Sequence, residues 1–359
     1  MKAALVLLAA AGLWAQQPRL SNAKVETRAV PAGLEREFQS IIGASSGPAW
    51  IGWAVRAVPG DHQMCCYSSF DDGSGNRCCR GCGLEGTRTS ATGATAASLP
   101  GPIPLEASGQ IFVLLRIEQH SVDRIRTFSA DCELDGGGLP FYLLTGVKPA
   151  ESIALLSGLA LQPEDENRGR RRRSEPAIAA IALHDDPSAD QALEKLVAPS
   201  QPESIRERTV FWLGSARGRR GFEVLRRMLS EDASDRVREK AVFGLSVSPV
   251  PEAVPAMIQT AKNDRSSHVR GQALFWLAQK AGKKEVAAIT SAIEDDPDTD
   301  VKKKAVFALQ QLPRDEGVPL LIQVARTNKN PAVRKQAMFW LGQSQDPRAV
   351  KFFEEVLLR

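Results

Sequence analysis

Residues 331–359 read PAVRKQAMFWLGQSQDPRAVKFFEEVLLR, and their first eleven places restate three earlier stretches. These are DRVREKAVFGL at 235–245, SHVRGQALFWL at 267–277 and TDVKKKAVFAL at 299–309. Aligned on Ile205, Val237, Val269, Val301 and Val333, the chain steps by thirty-two places each time. A cation follows each anchor (Arg206, Arg238, Arg270, Lys302, Arg334), and a small residue stands four places on (Thr209, Ala241, Ala273, Ala305, Ala337). Six places on is Phe in every unit, at Phe211, Phe243, Phe275, Phe307 and Phe339. Eight places on is Leu, at Leu213, Leu245, Leu277, Leu309 and Leu341. A fixed period of this size marks a repeat array, whose units bury their apolar faces only against their neighbours.

Each unit reads as two helices. Ser234, Ser266, Asp298 and Asn330 stand three places before their anchors, where a short polar side chain caps the free N–H groups of a first turn. Pro331 then sits at the first helical position, where its missing N–H costs nothing. Anchor, small residue and Leu fall at i, i+4 and i+8, one stripe of a helix. A second helix carries apolar residues 17, 20 and 24 places on, as in Val286, Ile289 and Ile293, or Val318, Leu321 and Ala325. Stacked pairs of this kind form an α-solenoid. A degenerate sixth unit precedes them, with Ala177, Ile178 and Ile181, then Leu193, Leu196 and Val197, and Pro149–Leu161 reads as a capping helix.

At these residues the chain resembles HEAT repeats, in particular the short bacterial type also found in phycobilin lyases. The V-R-x-x-A-x-x-x-L core matches Val237, Arg238, Ala241 and Leu245 and their counterparts over roughly residues 150–359. The resemblance implies a right-handed α-α superhelix of armadillo type. It also implies that the cations after the anchors (Arg206, Arg238, Arg270, Lys302, Arg334) are partly buried and hydrogen-bond across repeats, a structural role rather than a catalytic one.

The sixth place departs from the family, where it is usually polar. On a helical wheel it lies almost opposite the buried stripe made by the anchor, the fourth place and the eighth. Five Phe there predict a ladder of rings spaced about 10 Å apart, the distance between packed helix axes. Such a ladder is either buried between adjacent first helices or exposed as a partner-binding stripe. The seventh place alternates Trp212, Gly244, Trp276, Ala308 and Trp340, which reads as large-beside-small core filling. Arg168–Arg173, broken only by Gly169, reads as a solvated linker with polyanion binding as its rival. His184-Asp185-Asp186 contains metal-ligand types, but a polar turn between helices accounts for it.

The N-terminal half is different. Ala49–Val58, Ile111–Ile117, alternating Val122–Leu134 and Phe141–Leu144 read as strands of a small, mostly β domain. Gly86–Gly109, rich in Thr, Ser, Gly and Pro, reads as a mobile loop. All six cysteines lie here, at Cys65, Cys66, Cys78, Cys79, Cys82 and Cys132, an even count that suggests up to three disulfides. Cys79-Arg80-Gly81-Cys82 has the CxxC spacing of zinc and redox sites, without a second pair to complete a zinc site. Met1–Ala15, with Lys2 before an apolar run too short to span a bilayer, reads as a secretory signal. The expected organisation is therefore α+β and multidomain. A signal occupies 1–15, a cysteine-containing β domain 16–147, a capping helix and Arg-rich linker 148–173, and five to six repeats 174–359.

Composition narrows the function. Forty-six basic against forty-two acidic residues leave +4, too little to imply nucleic-acid binding, and four His leave little for a His-based metal or catalytic centre. The expectation is a periplasmic or secreted, non-enzymatic scaffold with no cofactor and no bound metal. It takes a protein partner through the solenoid, with the five Phe as candidate contacts. Two alternatives accompany it: a lyase-type enzyme acting on a tetrapyrrole-like ligand, implied by the bilin-lyase resemblance, and a thiol redox or metal protein using the CxxC.

Overall fold

The computed structural model describes residues 18–60, 82–85, 109–130, 132–163, 173–281 and 286–358. These fall into two compact units. The first holds the described residues up to Leu155 together with 173–176 and Leu183–Asp186; the second holds 156–163, 177–182 and everything from Pro187 on. The division thus cuts within two helices, where the sequence reading places boundaries at 147 and 173. No helix among the described residues is long and apolar enough to cross a membrane.

In chain order the described residues up to Leu161 run β1 (Arg19–Ser21), β2 (Lys24–Ala29), α1 (Leu34–Ala44), β3 (Ala49–Arg56), β4 (Cys82–Gly83), β5 (Gln110–Glu118), β6 (Ser121–Ser129), β7 (Glu133–Asp135), β8 (Pro140–Thr145) and α2 (Pro149–Leu161), the helix the division cuts after Leu155. Five strands form a mixed sheet in the order β2-β8-β3-β5-β6, and β1-β7-β4 form a small parallel one. β8 inserts between β2 and β3, parallel to both. Strands β3 and β5 are buried on both faces, which explains their unbroken apolar runs AWIGWAV and IFVLLRI. Trp50, Phe112, Leu114, Phe128 and Phe141 pack on one face together with Cys132.

Two features differ from the sequence reading. The sheet-containing domain also holds a helix that the strand signals hide: LEREFQSIIGA forms α1 with Leu34, Phe38, Ile41 and Ile42 buried at i, i+4, i+7 and i+8. The stretch Val122–Leu134 is not one strand. It divides into β6 and β7, which belong to different sheets.

The second unit is built from stacked helix pairs. After α3 (Ser174–Leu183), which the division cuts, and α4 (Pro187–Leu196), these are α5 (Glu203–Ala216) with α6 (Gly218–Glu231), and α7 (Asp235–Val247) with α8 (Ala253–Asn263). They continue as α9 (Ser267–Ala281) with α10 (Val286–Asp295), α11 (Thr299–Gln310) with α12 (Arg314–Thr327), and α13 (Pro331–Gln343) with α14 (Pro347–Leu357). All five anchors and all five Leu are buried, so the i, i+4, i+8 stripe is the core face. Ser234, Asp298 and Asn330 each accept a hydrogen bond from a first-turn backbone N–H.

Asp346 caps α14 in the same way and also receives the Arg348 guanidinium at 2.7 Å. These bonds, the guanidinium's first, hold its carboxyl down at about 2. Because the unfolded value is about 3.9, the cap stabilises α14 above that pH and is lost as pH falls through about 2. Amide protection in the first turn of α14 should therefore fade across this window. Protection unchanged after Asp346→Ala would show that the cap contributes nothing.

Candidate functional site

Three rows of side chains cross the first helices of the solenoid, and the fixed repeat interval generates each of them. The cation row is internal. Arg238 is 1% exposed and uses every donor it has. Its Nε and Nη2 form a fork on Asp264 at 2.9 and 3.0 Å, Nη1 donates to the carbonyls of Asp232 and Ala233, and Nη2 also reaches Asp235. Arg206 grips Asp232, and Arg270 grips Asp296, with the same bidentate geometry. The Asp264 contact holds the Arg238 guanidinium above its ordinary value, and Asp296 does the same for Arg270. Each Arg thus ties its helix to the turn that opens the next unit. The fourth register differs. Asn328 replaces the Asp, and Lys302 turns instead to the carbonyl of Glu294 at 2.5 Å. Arg334 donates to the carbonyls of Asn328 and Lys329.

The aromatic row lies on the surface. Phe211 and Phe243 stack with centroids 5.9 Å apart, and Phe275 and Phe307 do the same at an interplanar angle of 3°. Trp276 wedges between these pairs, 4.8 Å from Phe243 and 4.9 Å from Phe275. Trp340 bridges Phe307 to Phe339 at 4.9 Å from each, and Trp212 closes the other end on Phe211. Eight rings therefore form one unbroken series. The evenly spaced ladder expected from helix packing is not what forms, and the seventh-place residues are the reason. Gly244 lets α7 approach so closely that a Cβ on Gly214 would lie 2.0 Å from the Gly244 carbonyl oxygen. Ala308, fully buried, occupies the same place on α11. Beside these small residues the Phe rings meet directly; where Trp stands, it fills the gap.

Exposure follows from the same geometry. Phe243, Phe275, Phe307 and the three Trp are half-buried, while Phe211 and Phe339 are 38% and 53% exposed. The Trp therefore belong to the surface row rather than filling the core, as the alternation suggests. Stacked pairs of this type contribute about 0.5–1.5 kcal/mol each beyond their burial. The third row, Gln279, Gln311 and Gln343, stands four places after its Phe, with Gln279 donating to Gln311 at 3.1 Å.

Other residues singled out in the sequence do not join this surface. His184 is fully buried, its ring 2.8 Å from Ser152 Oγ, which also accepts from Trp53 Nε1 at 2.8 Å. Asp185 pairs with Arg56 at 3.1 Å, so the carboxylate next to the His is committed elsewhere. No group of His, Cys, Asp or Glu arranged to hold a metal is found among the described residues. Cys65, Cys66, Cys78 and Cys79 lie outside the described residues, as do Met1–Ala15, nearly all of Gly86–Gly109 and Arg168–Arg172. Cys82 lies in β4 opposite Leu134, and Cys132 is buried in the core. No disulfide joins two described residues, so the disulfide framework has no support here. Arg173 donates to the carbonyl of Val122 at 3.3 Å.

Sequence reasoning passed over a buried ion cluster in the first unit. Arg116 donates to Glu85, Glu118 and Asp123, and Trp50 Nε1 adds a bond to Glu85 at 2.7 Å. Burial alone would raise the Glu85 carboxyl, but the bonds from Arg116 and Trp50 outweigh it and hold it below its usual range. It also passed over the Asp that precede the anchors by five, at Asp232, Asp264 and Asp296, although they recur at the same interval as the anchors.

Residues 286–359 match the family model described as HEAT repeats. No curated protein matches the chain. Among solved structures, human deoxyhypusine hydroxylase in complex with glycerol aligns with a TM-score of 0.31 and 16% identity, covering 59% of this chain and 80% of that one. The complex of CpcE and CpcF of phycocyanin lyase from Nostoc sp. PCC7120 aligns with a TM-score of 0.30 and 20% identity, covering 55% and 76%. Neither alignment is close enough to carry an argument about shape or activity. The HEAT-type repeats matched at 286–359 share their phrase and their helix pairing with the units from Glu203 onward.

Proposed function

We propose that this chain is an exported, non-enzymatic scaffold that captures a protein partner on the aromatic row of its solenoid. The observation that carries the reading is the unbroken eight-ring series with Phe211 and Phe339 exposed. Repeat arrays present long surfaces in this way, and aromatic anchors dominate the energy of most interfaces. Export is supported by the Lys2-led apolar run at Met1–Ala15.

The two most exposed rings, Phe211 and Phe339, give the cleaner test. In Phe211→Ser/Phe339→Ser the fold should survive, since exposed substitutions usually change stability by less than about 0.5 kcal/mol each. Loss of two ring contacts at Phe211, with Trp212 and Phe243, and of one at Phe339, with Trp340, adds to that. Partner capture, read by cross-linking and pull-down from the extracytoplasmic fraction, should fall at least tenfold. A folded double variant that captures its partner as well as the wild type would remove the aromatic row from the reading. Mass spectrometry of the same fraction should find a mature chain beginning at Gln16, and an intact leader on all of it would remove export.

A further inference from the structure

The aromatic row does not stand alone on its helix face, and its two edges differ chemically. One turn before the rings, on the same face, stand Lys240 and Lys304 three places ahead of Phe243 and Phe307, and Lys335 four places ahead of Phe339. One turn after the rings stand Gln279, Gln311 and Gln343. The acidic groups on the cationic edge are already engaged: Glu207 by Arg236 at 3.4 Å, Glu239 by His268 at 2.9 Å and Asp300 by Lys303 at 3.0 Å. Among the described residues no carboxylate pairs with Lys240, Lys304 or Lys335, and the Lys304 ammonium lies 3.1 Å from the His268 ring. The surface is therefore a stripe with a cationic margin, an apolar aromatic centre and a neutral amide margin.

We infer that the occupant of this surface is an extended, acidic, apolar-containing segment of a partner protein, an inference that rests on the docking reading above. Its carboxylates meet the lysine margin, where charges of opposite sign guide encounter and fix orientation. Its apolar side chains cover the rings. Its main chain runs beside the Gln row, where Gln311 already links Gln279 to Gln310, and the second N–H and second carbonyl lone pair of each amide suit peptide C=O and N–H groups. Five first helices about 8–10 Å apart set a track of about 35 Å, which ten to twelve extended residues span at about 3.3 Å each. A helical occupant fits less well, because it would hold its own peptide groups internally and leave the amide row nothing to pair.

The test uses the full chain and three fluorescein-labelled polymers: a random glutamate–tyrosine copolymer, a lysine–tyrosine copolymer and polyglutamate. The glutamate–tyrosine copolymer should bind at least tenfold more tightly than either of the others. Lys240→Glu/Lys304→Glu should weaken it at least tenfold with helicity and melting unchanged, and Gln311→Leu should weaken it severalfold. Should the charge reversal perturb the fold, Lys240→Gln/Lys304→Gln is the substitute, with a smaller loss in the same direction. Equal binding of the lysine copolymer, equal binding of polyglutamate, or insensitivity to the lysine variants would overturn the inference. If Phe211→Ser/Phe339→Ser still abolishes capture of the natural partner while the copolymers show no acidic preference, the docking reading stands and this inference alone falls.

Discussion

Asp264→Ala is expected to cost about 3–5 kcal/mol, more than any surface change in this protein, because breaking one side of a buried pair strands the other. Arg238 is almost completely buried, and two of its hydrogen bonds end on Asp264. Removing the carboxylate leaves a buried guanidinium with backbone carbonyls and the exposed Asp235 as its remaining partners. Replacing both sides with apolar groups, by contrast, is often neutral. Arg238→Met/Asp264→Ala should therefore recover much of the loss, which separates a stranded charge from a missing contact. The Lys302–Asn328 register shows the array accepting joint loss of both partners, with the shorter cation finding a carbonyl instead. Urea denaturation of the three variants decides the matter. A single variant within about 1 kcal/mol of wild type would mean that water replaces the carboxylate.

How far the sequence could be read depends on how local each signal is. The solenoid was legible because its core is made by places four and eight apart, and its stacking by places one repeat apart, so every contact recurs in the text. Caps at Ser234, Asp298 and Asn330 were legible for the same reason. The aromatic row was half legible. Its five Phe were plain, but the spacing depended on a second pattern, Trp against Gly or Ala, whose effect is to change how close two helices come. The sequence shows such residues as sizes and not as distances. The first unit resisted further. Helix α1 carried a readable i, i+4, i+7, i+8 pattern that was passed over beside the stronger strand signals. The insertion of β8 between β2 and β3, by contrast, joins residues far apart in the chain through backbone bonds that have no residue code. Ser152, Trp53 and His184 also meet across long separations, and each looks ordinary on its own.

Gly214 and Gly342 occupy the same place in their repeats, nine after the anchor, and should respond oppositely to the same substitution. In an exposed helix, Gly→Ala stabilises by roughly 0.8–1 kcal/mol, because Ala loses less backbone freedom on folding. At Gly342 nothing lies within 4 Å of the added carbon, so Gly342→Ala should show that gain nearly in full. At Gly214 the added carbon would stand 2.0 Å from the carbonyl oxygen of Gly244 and 2.8 Å from its carbonyl carbon. Both obstacles are backbone, so no side chain can rotate away, and α5 and α7 must move apart. Overpacking of this kind costs about 1–3 kcal/mol, and the rigid partner puts this case at the upper end. The separation also pulls Phe211 away from Phe243, whose rings stack at 5.9 Å beside this contact. Gly214→Ala should therefore lower both the urea midpoint and partner capture, while Gly342→Ala raises the first and leaves the second alone. If both variants gain stability equally, the helices are not in contact at Gly214, and the close pairing that sets the spacing of the aromatic row is absent.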